Sequence, residues 1–441
     1  MTAGNLLESV RPGSYWSARR RPQTSLPDTP LPPGWTWSTL GDVCGRVQST
    51  DPHEAPDVAF TYIDIGSIDN LHNRIVEPKV VLGRDAPSRA RQVVKANDVL
   101  FSTVRTYLKN IAAVDASLDE QVASTGFCVL RPLIDPRFVY HYVLSQGFLG
   151  MLEPLQRGTS YPAVRDGDLF AQPIPVPPLD EQERIVTRIE ELMSDVEAGA
   201  ADSESAARLI GRCRQAARNH LTLGGVSRGL DAEGKPVLPE GWEWSTVRGV
   251  SEFVQYGTSD KADLAVTEVP VLRMGNIKDG VLVTDDLKFM PDGWACVDEF
   301  SLEPGDILFT RTNGNPALVG KSAVYRGVPE NAVFASYLIR VRLDAAKAVP
   351  EFVIHCLNSA FGRAYIASVV SQVGQANVNG SKLKRFPIPL PPLDEQARLA
   401  EQADDLLHAL DAIQADVSRS LKRAESLRQS ILKSAFSGQL V

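Results

Sequence analysis

Residues 173–186 read PIPVPPLDEQERIV, and residues 387–400 read PIPLPPLDEQARLA. The two stretches lie 214 positions apart and align without a gap from Pro173 to Gly224, with 17 identities in 52 positions, down to the paired Arg214-Gln215 and Arg428-Gln429. A second doubled stretch precedes each of them: LPPGWTWST at 31–39 returns as LPEGWEWST at 238–246. Self-similarity at so long a period sets the architecture, so the 441 residues are read as one unit written twice. Between the anchors the copies are only faintly alike. NDVLFSTVR (97–105) parallels GDILFTRTN (305–313), and PRFVYHYVLSQGF (136–148) parallels PEFVIHCLNSAFG (350–362). The frame is fixed and the filling diverges.

The proline-rich PIPVPP and PIPLPP cannot be helical inside, and each runs into an Asp-Glu pair suited to a helix N-terminus, so each reads as a stiff strap leading into a helix. From Leu393 to Ser437 there is no Gly or Pro, a span of about 68 Å if wholly helical. An apolar stripe at Leu399, Ala403, Leu406, Leu410, Ile413, Val417, Ala424, Leu427 and Ile431 keeps a heptad rhythm broken only at Ser420. Ile185, Ile189, Leu192, Val196, Ile210 and Cys213 hold the matching register in the first copy. Residues 180–204 carry nine acidic and two basic side chains, and 205–224 four basic and none acidic; the second copy repeats this polarity. Antiparallel pairing would lay the acidic half of each helix along the basic half of the other, with a globular unit at each end of the pair.

The globular units are mixed α/β by pattern. VAFTYIDI, VLFSTV, FCVLR, VPVLRMG, DILFT and YLIRVRL are strand-like runs bounded by Gly, Asp, Asn and Pro. Apolar residues at helical spacing predict a helix over 138–153 and its equivalent over 351–369. The expected division is a mobile tail at 1–30, a first domain at 31–172, strap and helix at 173–225, a second domain at 226–386, and strap and helix at 387–441.

A hydrophobic content of 43% supports ordinary cores. No apolar run approaches membrane-spanning length and the N-terminus lacks the order of a secretory signal, so a cytoplasmic, membrane-free protein is expected. The five cysteines (Cys44, Cys128, Cys213, Cys296, Cys356) are scattered and never spaced CxxC, which points to small core residues rather than a disulfide framework or a zinc site. A net charge of −8 has the wrong sign for a protein that coats nucleic acid non-specifically. It is spread as +2 on the tail and between −2 and −3 on each other segment.

No catalytic or metal site is expected. Gly314-Asn315-Pro316-Ala317-Leu318-Val319-Gly320-Lys321-Ser322 has five residues between its glycines where a phosphate loop needs four, and Pro316 removes a donor. Asp57, Glu77 and Lys79 are loosely like the residues of a stand-alone metal-dependent nuclease, but Pro78 stands between Glu77 and Lys79. The six histidines form no metal-binding pair. His141 and His355 occupy equivalent positions, which suits a structural role. A glycine-rich methyltransferase loop is also missing.

What the sequence offers instead is binding chemistry. In the first unit Arg84, Arg89, Arg91, Arg105, Tyr107 and Lys109 cluster among polar neighbours, and Arg157, Ser160, Tyr161 and Arg165 precede the strap. In the second the counterparts are Arg311, Asn313, Asn315 and Lys321, then Gln372, Gln375, Asn377, Asn379, Lys382, Lys384 and Arg385. Arg, Asn and Gln present the forked donors and acceptors that read guanine and adenine edges, while Lys and Ser hold phosphates.

At LP(P/E)GW(T/E)WST, PIP(V/L)PPLDEQ and the ending SAFSGQL (434–440), the chain resembles the specificity subunits of type I restriction-modification enzymes over residues 31–441. The resemblance implies an α/β fold: two mixed α/β target recognition domains separated by two long antiparallel helices that form a coiled-coil spacer, related by a pseudo-two-fold repeat. It implies a non-catalytic subunit in which each domain reads one half of a split double-stranded DNA sequence. Two modification subunits that use S-adenosylmethionine to methylate adenine, and restriction subunits that use ATP and Mg to translocate and cut, would be its partners. No cofactor is expected on this chain. The competing readings are the nuclease built on Glu77 and Lys79 and a helical scaffold that binds only proteins.

Overall fold

The computed structural model describes Tyr15 and residues 26–158, 161–225, 229–230, 234–278, 280–370 and 376–440. The chain divides into two units, Met1–Asp202 with Ser420–Val441, and Ser203–Arg419.

In the first unit a four-stranded sheet runs in the order Ile111–Ala113, Val99–Ser102, Phe127–Pro132, Cys44–Gly45, all antiparallel. A five-stranded sheet adjoins it in the order Gln48–Ser49, Ala90–Val93, Val122–Ser124, Ala59–Ile63, Lys79–Leu82, in which Val122–Ser124 and Ala59–Ile63 are parallel. The central strands are apolar at consecutive positions because both faces are covered. Successive side chains point to opposite faces of a sheet, and Val99, Phe101, Cys128 and Leu130 enter one core while Leu100, Phe127 and Val129 enter another.

The second unit repeats this plan. Its four-stranded sheet runs Ser251–Tyr256, Leu338–Leu343, Ile307–Thr310, Ser322–Val324, and Pro270–Leu272 pairs in parallel with Val333–Phe334. Ile307 and Phe309 face one core and Leu308 the other. A buried carboxylate is shared by both copies. Asp98 takes the Arg131 guanidinium at 2.7 Å, and Asp306 takes that of Arg342 at 2.8 Å; each carboxylate also caps its preceding turn, by accepting from Lys95 N and Glu303 N.

The helices expected over 138–153 and 351–369 are each broken in two: Pro136–Leu144 and Gln146–Leu152, then Pro350–Asn358 and Ala360–Val369. Ser145 and Ser359 sit at the breaks in extended conformation, and their hydroxyls accept from Phe148 N and Gly362 N. A serine that caps a new helix competes with continuation of the old one.

The straps are strands. Pro173–Val176 pairs antiparallel with Thr36–Thr39, and Pro387–Leu390 with Glu243–Thr246. Prolines at alternate positions place their missing donors on one side only, so the strand still pairs along the other edge. Behind the straps stand the two long helices, Leu179–Thr222 and Leu393–Phe436, each of 44 residues. The first unit holds the start of the first helix and the end of the second: Ile185, Val186, Ile189 and Met193 share a core with Ile431, Leu432 and Ala435, and Arg428 faces Glu197 at 4.0 Å. The second unit holds the opposite ends, with Arg214 paired to Asp411. Within each unit the segments run antiparallel with acidic side chains against basic ones. Burial of each isoleucine contributes about 1.5–3 kcal/mol.

The heptad reading needs correction in phase. Ile185, Ile189, Ile210, Leu399, Leu410 and Ile431 are buried, and Leu192, Val196 and Val417 are half-buried. Leu406, Ile413 and Leu427, however, are 44%, 50% and 50% exposed. Ala403 of the stripe is buried, and Ala400 and Leu407, outside it, are buried as well, because a globular domain packs on that face as well as a helix: His355 meets Asp404 at 3.1 Å, and Ala400 shares a core with Phe352 and Val353. Cys213 is exposed rather than a core residue, while Cys44, Cys128 and Cys356 are buried.

Within the expected tail, Tyr15 stacks on Phe170 with ring centroids 3.7 Å apart, and Trp37 donates its indole N–H to Thr29 O at 3.0 Å. Residues 1–14 and 16–25 lie outside the described residues. Each long helix is followed by a glycine at φ +71°: Gly224, where a side chain would collide with Pro239, and Gly438, where it would collide with Pro32. Leu31 and Leu440 both pack against the first unit's core.

Candidate nucleic-acid interface

The doubled motifs fix each globular domain to its long helix. Trp35 Nε1 donates to Glu181 Oε1 at 3.0 Å, and Trp242 Nε1 to Glu395 Oε2 at 3.2 Å. The adjacent glutamines are buried and hold a helix start on the domain: Gln182 Oε1 accepts from Asp135 N at 3.1 Å, and Gln396 Oε1 from Val349 N at 2.9 Å. Their amide groups donate back to the straps, at Pro177 O and Pro391 O. This frame sets the position from which the polar loops project.

In each unit two of the polar segments singled out in the sequence are brought together. In the first, Val104 bridges Ala163, Arg105 N donates to Pro162 O at 2.7 Å, and Gln156 Nε2 reaches Thr106 Oγ1 at 2.8 Å. The Arg105 guanidinium lies 4.4 Å from the centroid of the Tyr161 ring. In the second, Thr312 pairs with Asn377, and Val378 N donates to Arg311 O at 2.8 Å. The Arg311 guanidinium lies 4.8 Å from the centroid of Tyr256, whose hydroxyl accepts from Gly380 N. Offsets of 208 and 214 relate Val104 to Thr312 and Ala163 to Asn377, so the two junctions are equivalent places in the frame.

Other candidates are placed differently. Arg84 pairs with Asp57 at 2.8 Å, Arg91 on Ala90–Val93 with Asp51, and Arg157 with Asp168 at 3.4 Å. Lys109 reaches Glu425 on the second long helix at 2.6 Å, and Lys382 Nζ donates to Val369 O. Asn313, Asn315 and Asn379 each accept from a backbone N–H two or three residues on, so they shape their turns. Arg89, Tyr107 and Arg165 are exposed and Lys321 is half-buried. Ser160, Gln372 and Gln375 lie outside the described residues. The reading of the sequence missed Tyr256, whose place at the end of a strand and just before Gly257 is the signal that could have found it.

Lys79 lies on a strand but pairs with Asp64 at 2.7 Å, which holds the Lys79 ammonium above its ordinary range. Glu77 has a left-handed backbone at φ +50°. No three His, Cys, Asp or Glu side chains gather to hold a metal among the described residues. His141 is pushed down to about 4 by burial and by the charges of Arg428 and Arg137. The described residues contain no helix long and apolar enough to cross a membrane.

Two copies of one scaffold, each ending a long helix and each carrying its own polar loop junction, define a duplicated recognition protein. The model of the type I restriction modification DNA specificity domain matches residues 32–202 and 239–423, and the chain belongs to that family, the specificity subunits that act in DNA target recognition. It is similar to the type I restriction enzyme StySPI specificity subunit of Salmonella potsdam, at 28% identity over 93% of this chain and 90% of that one. The EcoKI specificity subunit of Escherichia coli (strain K12) is 29% identical over the same shares. A chain from a structural study of complex assembly and conformational transition in the type I R-M system is 31% identical, with a TM-score of 0.69, covering 93% of this chain and all of that one.

Proposed function

We propose that the two units read the two halves of a bipartite double-stranded DNA target, and that the long helices set the unread gap between them. The observation that carries this reading is the pair of equivalent junctions. The same bridge in the frame holds Val104 against Ala163 in one copy and Thr312 against Asn377 in the other, with different polar side chains around it. Two readers of different sequences on one scaffold require that combination. A helix of 44 residues is about 66 Å long, close to two turns of DNA at ~34 Å each.

The chain on this reading is a non-catalytic subunit in the cytoplasm that binds no cofactor. Two modification subunits bring S-adenosylmethionine and methylate adenine; restriction subunits bring the use of ATP and Mg. Exposed Leu406 and Ile413, spaced by seven, offer the modification subunits an apolar helix face in the second unit. Tight DNA binding then belongs to the assembled complex, in keeping with a net charge of −8.

The test is a domain exchange. Replacing residues 238–386 by the equivalent part of a relative, and mapping methylated sequences in cells that carry the modification subunit, changes one half of the target and leaves the other. A change in both halves, or in neither, refutes the reading.

A further inference from the structure

We infer that Arg105 and Arg311 are the arginines that read a guanine in each half of the target, and that Tyr161 and Tyr256 are the residues that position them; this rests on the DNA-reading role proposed above. Among the arginines at the polar loops, Arg84, Arg91 and Arg157 are neutralised by carboxylates. Arg105 and Arg311 have no carboxylate partner among the described residues. Each instead lies against the ring of an exposed tyrosine, Tyr161 at 68% and Tyr256 at 42% exposure.

The geometry favours a base edge over a phosphate. Stacking on a ring fixes the plane of a guanidinium and leaves the donors at its rim to bond in that plane. In both residues the Nε is buried without a partner among the described residues, so the inner donor is closed off and the Nη pair forms the outward fork. Arg105 makes no Nη hydrogen bond among the described residues, and Arg311 makes one long contact of 3.5 Å with Ser336 O. A rigid two-donor fork matches the O6 and N7 acceptors of guanine in the major groove. A phosphate also accepts such a fork, but a lysine serves it as a point charge, so phosphate binding alone does not call for a plane fixed by a ring.

Two further observations point the same way. Arg105 holds a left-handed backbone at φ +50°, and Lys109, at φ +52°, closes the turn Thr106–Leu108 that it opens. Such strain in a non-glycine residue collects at ligand sites. In the second unit, Asn377 leaves a buried Oδ1 without a partner among the described residues, one strand away from Arg311. The two devices were also reached separately. Arg105 aligns with Asn313 and Arg311 with Thr103, so each copy places its stacked arginine at a different position of the junction. Divergent readers would do so, whereas a shared structural brace would keep its place.

The experiment uses the full chain assembled with its modification subunits and maps methylated sites on a DNA library. Arg105→Gln lowers the preference for guanine at one base pair of one half by about 5- to 150-fold, and Arg311→Gln does so in the other half. Tyr161→Ala and Tyr256→Ala relax the same base pair as their arginine, and Tyr161→Phe, which keeps the ring, restores it. Methylation lowered equally across all sequences would make these phosphate contacts and overturn the inference, as would unchanged specificity or both arginines acting on one half. A wild-type complex that shows no two-part target defeats the underlying reading instead, whatever the variants do.

Discussion

The indole of Trp35 donates to the carboxylate of Glu181 across 146 residues of sequence, and Trp242 repeats the bond with Glu395. The doubled GW and DEQ motifs are therefore two sides of one joint, made once in each unit. Removing the donor with Trp35→Phe costs about 1 kcal/mol. Gln182→Ala, which strands Asp135 N in a buried place, costs about 1–3 kcal/mol. Urea unfolding of each variant, with the Trp35→Phe/Glu181→Gln double variant to isolate the coupling, measures both.

The buried carboxylate of Asp98 pairs with Arg131, and that of Asp306 lies against two guanidiniums, Arg342 at 2.8 Å and the buried Arg340 at 3.8 Å. Asp98→Ala leaves Arg131 without its carboxylate, and Asp306→Ala leaves the buried Arg340 without one while Arg342 keeps Glu303 at 2.6 Å, at about 3–5 kcal/mol each. Thermal melting reads the loss, and a drop under 1 kcal/mol in either variant contradicts the role given to the pair.

Charge polarity along the helices makes a reversible prediction. Arg214→Glu opposes Asp411 with a like charge and lowers stability by about 0.2–1 kcal/mol, and adding Asp411→Arg restores it. Spin labels at residues 190 and 425, both in the first unit, report the same antiparallel arrangement as a short separation.

Acid sensitivity begins at His141. Its folded value of about 4 lies below the ~6.5 of an unfolded histidine. The unfolded chain thus takes up the proton first, and stability present above pH ~6.5 is lost as pH falls toward 4. Asp404, held below its ordinary range by its hydrogen bond with His355, adds a loss only at lower pH, below the ordinary carboxylate range near 3.9. His141→Gln flattens the melting temperature between pH 7.5 and 5.5; a wild-type slope in that variant would place the effect elsewhere.

The frame is legible in the sequence because its joints are local signals repeated in register: the strap, the Asp-Glu start and the Trp each stand out by residue type. The loops are less legible because what decides a polar side chain is its partner. Arg84 and Asp57 are 27 residues apart, Arg91 and Asp51 are 40, and Lys109 and Glu425 are 316. Nothing in the run VRTYLKN separates Arg105, which finds a ring, from Lys109, which finds a carboxylate. The phase of the helical stripe was hidden for a related reason. A heptad describes one helix against another, and Ala400 is buried by a domain as well.

Gly224 meets Pro239 in one unit as Gly438 meets Pro32 in the other, with the same left-handed turn after each long helix. In the first pair the partners are neighbours along the chain, joined through residues 225–238. In the second they come from opposite ends of the numbered sequence, yet the contact is the same. Packing at these two places does not record which copy is read first. A polypeptide opened between 225 and 238, and joined from Leu440 to Leu31, would translate the second copy before the first while keeping both glycine–proline seats. Order along the gene and order in the fold are uncoupled there, and the two recognition halves could exchange places without a new contact being invented.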